Sequence, residues 1–320
     1  MESVISQSIH PFQYLVLDDG SHDKTLEIAK EYASKHSWIQ VYPNKVNQGA
    51  IPNFNRVFDV AQGDFIYTVA SDDYLLPGAL ETISSALLKW PNAGIFCGKM
   101  ARVSTQGHTL GIEEIKCWTE AGYHTPQECL EEYLLKAPAN HSLGAATIYS
   151  RSSADRNGRY RAELGHWCDT FLARSIALEE GMVYIPDLFH AWTVDPASLS
   201  NMDLMDSRKC LDIIARAAWL MRSGKFRGIF PEEYIAYFER NYRDYIINPI
   251  LSGYEYKLQQ RNQQFFETLS RDDTSDRLLR RLFSWFLKLE DKFLTRRIRQ
   301  YSESLRNYPG DISCYTQSAE

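Results

Sequence analysis

Two short acidic stretches carry the chemistry this sequence can offer: Asp18-Asp19-Gly20-Ser21 and Ser71-Asp72-Asp73. Adjacent carboxylates repel each other and are tolerated where solvent, hydrogen bonds or a cation offset the repulsion. Hard divalent cations take oxygen ligands, and Mg2+ or Mn2+ commonly bridges a few carboxylates to a substrate diphosphate. Such a cation also neutralises charge on a departing phosphate group. The plainer reading of Asp72-Asp73 is a cap on the helix that follows Tyr74-Leu75-Leu76-Pro77. A further carboxylate, Asp169, stands in Gly165-His166-Trp167-Cys168-Asp169-Thr170-Phe171. On the residues alone it reads as an N-cap or first-turn acid that complements a helix dipole.

The surrounding pattern predicts what positions these groups. Tyr14-Leu15-Val16-Leu17 is a short apolar run that stops at Asp18, a buried strand ending in a turn. A helix is expected from about Asp23 to Lys35, with Leu26, Ala29, Tyr32 and Ala33 on one face. Strand Trp38–Tyr42, a Pro43–Gly49 loop and helix Asn53–Ala61 follow. Next come strand Asp64–Ala70, helix Pro77–Trp90 with Pro77 near its first turn, and strand Gly94–Gly98. Alternation with crossovers this long predicts an α/β, doubly wound, mostly parallel sheet. Both acidic turns then lie at carboxyl ends of strands, the edge where open α/β sheets bind ligands. From about Met205 the character becomes helical, over Pro231–Ile247 and Asp276–Arg306. The chain is therefore divided into residues 1–204 and a helical region, 205–320.

The motifs also have an order. Asp18-Asp19-Gly20-Ser21-x-Asp23-x-Thr25 is followed by Asn47-x-Gly49, Asn55, Gly63-Asp64-Phe65-Ile66 and Ser71-Asp72-Asp73-x-x-x-Pro77-Gly78. This set resembles family 2 glycosyltransferases of the GT-A fold, which is Rossmann-like. The likeness is strongest over residues 15–98 and extends to about Ser200. It implies that Asp18 or Asp19 contacts the nucleotide base or ribose and that Asn47 and Gly49 shape the base pocket. It places Asp72 near the ribose and Asp73 on a Mn2+ or Mg2+ ion and the diphosphate. On the residues alone, Asn47 and Gly49 equally read as a loop with a positive-φ glycine. Asn55 reads as a structural helix residue, and Gly63-Asp64 as a turn.

An inverting transfer needs one general base for the acceptor hydroxyl. In the family that residue opens a helix ending in Gly before an x-Ile-Pro-x-x-Leu strand. The match here is Asp169, followed by Ala177 to Gly181 and Tyr184-Ile185-Pro186-Asp187-Leu188. Glu163 is a second candidate. Trp167 reads either as a sugar platform or as core, His166 as a polar wall, and His141 either as an acceptor contact or as a structural histidine. Relatives often have Arg-x-His-x-x-x-x-Ser after that strand, with the histidine on the metal. Here Asp195 takes the histidine's place, as an oxygen ligand or as the cap of a turn before Pro196. Relatives also begin with a strand and a Pro-x-Tyr turn for which this sequence has no counterpart, so its start reads as truncated. Phe54 stands where relatives often carry arginine.

The resemblance therefore implies an inverting, metal-dependent transferase. Its partners would be a nucleotide-diphospho-sugar donor and a glycan or lipid-linked acceptor, in polysaccharide or cell-surface glycan assembly. The rival reading is a catalytically silent GT-A-like binding or scaffold domain. A net charge of −6 over 320 residues gives no general attraction for nucleic acid. The six cysteines, Cys97, Cys117, Cys129, Cys168, Cys210 and Cys314, form no CxxC pair and read as free thiols. No apolar run reaches the ~18–20 residues needed to span a bilayer. A cytoplasmic protein is expected. Residues 276–306, with nine basic and four acidic side chains, offer either a solvated packed helix or a peripheral contact at the inner face of a membrane.

Overall fold

The computed structural model describes residues 1–138, 141–195, 198, 206–248, 292 and 295–312. The boundary at 204/205, most of the 276–306 segment and Cys314 lie outside the described residues.

Strand β1 (Tyr14–Asp18) pairs in parallel with β2 (Ile39–Pro43), across helix α2 (Thr25–Lys35). These two form a sheet of their own. The larger sheet contains β3 (Phe65–Tyr67), β4 (Tyr74–Leu75), β5 (Ile95–Ser104), β6 (Thr109–Glu113), β7 (Gly122–His124), β8 (Thr147–Ser150) and β9 (Met182–Val194). Its order is β3-β8-β5-β9-β4, with β6 beside β5 and β7 beside β9. The expected α/β sheet is thus present, and it is mixed. The long β5–β9 ladder is parallel, whereas β8 lies antiparallel between β3 and β5. Strand β6 returns on β5 through a short hairpin, which permits only antiparallel pairing.

Helix α1 (Glu2–Ile5) and α4 (Ala79–Lys89) cover one face of this sheet, and α3 (Ala50–Val60), α6 (Arg151–Asn157) and α7 (Cys168–Glu180) the other; the short α5 (Pro126–Glu128) follows β7. The alternation of β5 builds both cores. Ile95 and Cys97 enter the cluster with Phe58, Leu172 and Ile176, while Phe96 and Met100 join Val4, Ile83 and Phe189. Along β9 the register slips: Gly98 faces Ile185, Lys99 faces Leu188 and Met100 faces His190. The Phe189 ring lies on Gly98, where a Cβ would come within 1.9 Å of it. The small sheet is held to the large one by side chains: Leu15 packs against the cluster that holds Ile66, and Tyr14 against the cluster that holds Phe96 and Ile148.

Helix α7 is buried on both sides. Leu172, Ile176 and Ala177 face the sheet layer. Phe171 and Leu178 face a cluster with α8 (Ser207–Met221), the 232–248 helix and Leu305. Each such large apolar side chain contributes roughly 1.5–3 kcal/mol on burial. The helical region after residue 205 therefore shares a core with the first region.

Asn55 is the structural residue the sequence suggests. Its amide accepts from the Tyr160 N–H at 3.0 Å and donates to the Tyr160 carbonyl at 2.7 Å, clamping α3 to the segment that leads to α7. Asn55→Ala is expected to lower the unfolding free energy by about 1–3 kcal/mol, because two backbone groups lose their partner. Urea unfolding of the two proteins measures this, and a change within experimental error would remove the clamp from the account.

Candidate active site

Asp18 ends β1 and is 4% exposed. Its Oδ2 accepts the Ser21 N–H at 3.3 Å, while Oδ1 is buried without a partner. An unpaired buried acceptor costs about 1–3 kcal/mol and is available to a ligand N–H. Asp19 is occupied differently. Oδ1 accepts from the Gln48 N–H at 2.9 Å and Asn44 Nδ2 at 2.8 Å, and Oδ2 accepts the Gly49 N–H at 2.9 Å. Partial burial raises its carboxyl, but these bonds from Gln48, Asn44 and Gly49 outweigh that and hold it below the usual range. Through these bonds Asp19 shapes the loop.

The Asn47 side-chain Oδ1 accepts the same Gly49 N–H at 3.0 Å. Gly49 has φ +92° and starts α3, a conformation that favours glycine. Asn44 also donates to Asn53 Oδ1 at 3.1 Å, and Asn53 donates to the Leu17 carbonyl at 3.0 Å. Neither asparagine stood out in the sequence, because their partners are 9 and 36 residues away.

The adjacent carboxylates Asp72 and Asp73 face opposite ways. Asp73 is turned inward, its side chain 4% exposed. Oδ1 accepts the Thr193 N–H at 2.8 Å, and Oδ2 lies 3.2 Å from His190 Nε2. His190 is fully buried, with its Nδ1 2.6 Å from the Tyr67 hydroxyl. With the tyrosine donating to Nδ1, the Nε2–H donates to Asp73. Burial, and then the charge of Asp73, hold the Tyr67 hydroxyl well above its usual range. The Thr193 hydroxyl adds a bond to the Asp72 carbonyl at 2.6 Å. Both Asp73 oxygens thus tie the acidic turn to the end of β9.

Asp72 is exposed as a residue, with its carboxyl end partly desolvated. That desolvation, followed by the charges of Asp73 and Asp195, pushes its carboxyl above the usual range. Among the described residues no three His, Cys, Asp or Glu side chains are grouped to hold a metal ion. Asp72 and Asp195 offer two hard oxygen donors that repel each other, a set suited to a cation that also takes diphosphate oxygens.

Asp169 lies in the first turn of α7. Oδ1 accepts the Thr170 N–H at 2.6 Å and is 3.2 Å from Thr170 Oγ1. Oδ2 has no hydrogen-bond partner among the described residues. Gly144 makes room for it: a Cβ at that position would lie 1.9 Å from Oδ2. Burial raises the Asp169 carboxyl, more than the Thr170 bonds and the His166 ring lower it. Two tyrosines connect this end of the site to the acidic turn. The Tyr149 hydroxyl donates to the Asp169 carbonyl at 3.4 Å, and its ring meets Tyr160 edge-on at 6.0 Å. The Tyr160 hydroxyl lies 3.5 Å from Thr68 Oγ1, on the segment running from β3 to Asp72.

The other candidates have structural surroundings. Trp167 is 3% exposed and packs on Phe171, Phe238 and Tyr242, so it is core. Glu163 pairs with Arg161 at 3.1 Å. The His141 ring takes its partner from Tyr133, 2.9 Å away. Cys97, Cys117, Cys129, Cys168 and Cys210 are free thiols.

Comparison with known proteins agrees with this architecture. Residues 1–158 match the family described as Glycosyl transferase family 2. An uncharacterized glycosyltransferase, YibD of Escherichia coli, is 34% identical over 89 residues, 28% of this chain and 26% of the relative. The chain thus spans about a quarter of that relative's length. Among solved structures, S. aureus TarS 1-349 in complex with UDP-GlcNAc superposes with a TM-score of 0.59 at 18% identity, over 76% of this chain and 67% of TarS. The mannosyltransferase PcManGT from Pyrobaculum calidifontis, in complex with GDP-Man and Mn2+, covers 95% of this chain and 78% of its own, with a TM-score of 0.51 and 15% identity. The α/β architecture is the GT-A fold, and residues 1–158 of this chain are similar to glycosyl transferase family 2.

Proposed function

We propose that this protein transfers a sugar from a nucleotide-diphospho-sugar to an acceptor hydroxyl with inversion at the anomeric carbon. The observation that carries the reading is Asp169: a carboxylate with one oxygen locked, one open beside Gly144, and raised basicity. Its role is to accept the acceptor's proton while the acceptor oxygen attacks the anomeric carbon. The bond from that carbon to the diphosphate breaks, and the nucleoside diphosphate leaves from the opposite face. Asp18, through its unpartnered Oδ1, accepts an N–H of the donor base. The loop fixed by Asp19, with Asn47 and Gly49, frames that base. Asp72, with Asp195, would hold Mn2+ or Mg2+ against the diphosphate, and the ion would supply neutralisation of the leaving charge. Asp73 positions Asp72 through the β9 contacts. The UDP-GlcNAc, GDP-Man and Mn2+ bound in the similar structures support this assignment of donor class.

The setting we propose is assembly of a polysaccharide or cell-surface glycan on the cytoplasmic side, with a glycan or lipid-linked acceptor. Among the described residues no helix is long and apolar enough to cross a membrane. The exposed Arg296, Arg297 and Arg299 supply the basic face for a peripheral contact. A second reading, a GT-A-like module that binds donor without turnover, draws on one observation: β1 and β2 share no ladder with the larger sheet.

A panel of UDP-, GDP- and dTDP-sugars with Mn2+, followed by calorimetry and product analysis, separates these readings. Donor binding with transfer supports the enzyme, and binding without transfer to any acceptor supports the module. Asp169→Asn is expected to keep donor affinity and lose transfer by about 100-fold or more. Because the Asp169 carboxyl is raised, the wild-type rate should fall as pH drops through a midpoint above the ordinary value of about 4. A midpoint at the ordinary value would count against Asp169 as the base.

The two acidic-turn residues should separate as well. Asp73→Ala is expected to cost about 2–4 kcal/mol of stability in urea, since it strands His190 and the Thr193 N–H. Asp72→Asn should stay within about 0.5 kcal/mol of wild type and weaken Mn2+-dependent donor binding. The reverse pattern would return the cation to Asp73.

A further inference from the structure

Arg174 lies five residues after Asp169 on α7 and is only 7% exposed. Its Nη1 donates to the Tyr234 hydroxyl at 2.7 Å and its Nη2 to the His141 carbonyl at 3.0 Å. The guanidinium also lies 5.3 Å from the Trp167 ring centre. No carboxylate among the described residues is within ion-pair distance of it. Burying a charge without a counter-ion is costly, and an apolar side chain of similar size would usually be more stable there. The feature an apolar residue lacks is the planar fork of donors, which can bind two acceptors in fixed directions at once.

Those two acceptors belong to different parts of the chain. Tyr234 is on the 232–248 helix. His141 opens the segment that carries Ser142 and Gly144, and both of these reach Asp169. Ser142 Oγ is 3.0 Å from Thr170 Oγ1, the hydroxyl beside Asp169 Oδ1, and Gly144 lies against Oδ2. A cavity of about 30 Å³ lies next to this segment, lined by Arg174, Tyr133, His141, Ser142, Gly144 and Thr170. It has room for about one water molecule, and so for the segment to sink if its tether is cut. Tyr133, which holds the His141 ring, sits on a single π-helical turn, Cys129–Leu134. That ring stays neutral, since burial, and then the charge of Arg174, hold it down at about 4.

We infer that Arg174 is a positioning residue: it ties the His141–Gly144 segment to the C-terminal helices and thereby sets the place of the Asp169 carboxylate. This rests on the reading of Asp169 as the base. The C-terminal region then takes part in the chemistry through Tyr234, without touching substrate.

Full-length Arg174→Met, Arg174→Lys and Tyr234→Phe test the inference. The readouts are kcat for transfer, the donor KM and the titration of the Asp169 carboxyl. The titration is followed by carbon-13 NMR and assigned by its absence in Asp169→Asn. In Arg174→Met, kcat should fall about tenfold or more, because small misplacements of a reacting group cost rates of this order. The donor KM should stay within about twofold. The Asp169 midpoint should move toward the ordinary carboxylate value. Arg174→Lys should recover part of the loss, and Tyr234→Phe should move the same readouts less. Where Arg174→Met does not fold, the other two variants decide. Wild-type kcat and Asp169 titration in the folded variants, with Asp169→Asn inactive, overturn this inference alone. A parallel change of kcat and donor KM overturns it too. Transfer by Asp169→Asn at the wild-type rate overturns the inference together with the base assignment.

Discussion

One buried carboxylate ties the 71–73 acidic turn to the larger sheet. Asp73 lies between the Thr193 N–H and His190, and His190 in turn rests on the Tyr67 hydroxyl. Tyr67 ends β3, Asp73 leads into β4, and His190 and Thr193 belong to β9. Three strands thus meet on one set of polar contacts that water does not reach. Such a group is expensive when any partner is missing and rigid when all are present. Here that rigidity fixes the exposed neighbour, Asp72, relative to Asp195. The inward carboxylate allows the outward one to be presented against the repulsion of its neighbours.

A similar division of labour holds at the other sites. Asp19 is used up by the loop, and Asp18 keeps an open oxygen. In Asp169, one oxygen is locked by Thr170 and the other is open. Each time, a neighbouring backbone N–H takes one acceptor and leaves the other at a known place. This is preorganisation achieved with short-range hydrogen bonds.

Much of this was legible in the sequence, and the reason is local. Tyr14–Leu17, the Thr25–Lys35 helix and the run from Gly94 announce themselves by apolar period and turn residues. Asp169 is found where its helix begins, because the closing Gly181 and the strand after it bracket that helix. Which carboxylate of a pair faces in was not legible. It depends on Thr193 and His190, more than a hundred residues away. The antiparallel entry of β8 was equally hidden, since nothing within Thr147–Ser150 records its direction. The extension of β5 to Ser104 depends on β9 supplying the partner ladder. Arg174 drew no notice for the same reason: its meaning lies in His141 and Tyr234.

The double burial of α7 has a further consequence, for the order of events at the ribosome. A helix packed on both faces cannot complete its surroundings from the preceding chain alone. The sheet-facing side, Leu172 and Ile176, finds partners synthesised earlier. The opposite side, with Phe171 and Leu178, waits for Ile214, Phe238 and finally Leu305. The nascent chain can therefore assemble its sheet-facing half early, while the half holding Asp169 matures only after the last described helix has emerged. A stalled or shortened polypeptide would carry a formed sheet and an unfinished surround for Asp169, with apolar surface for chaperones to find.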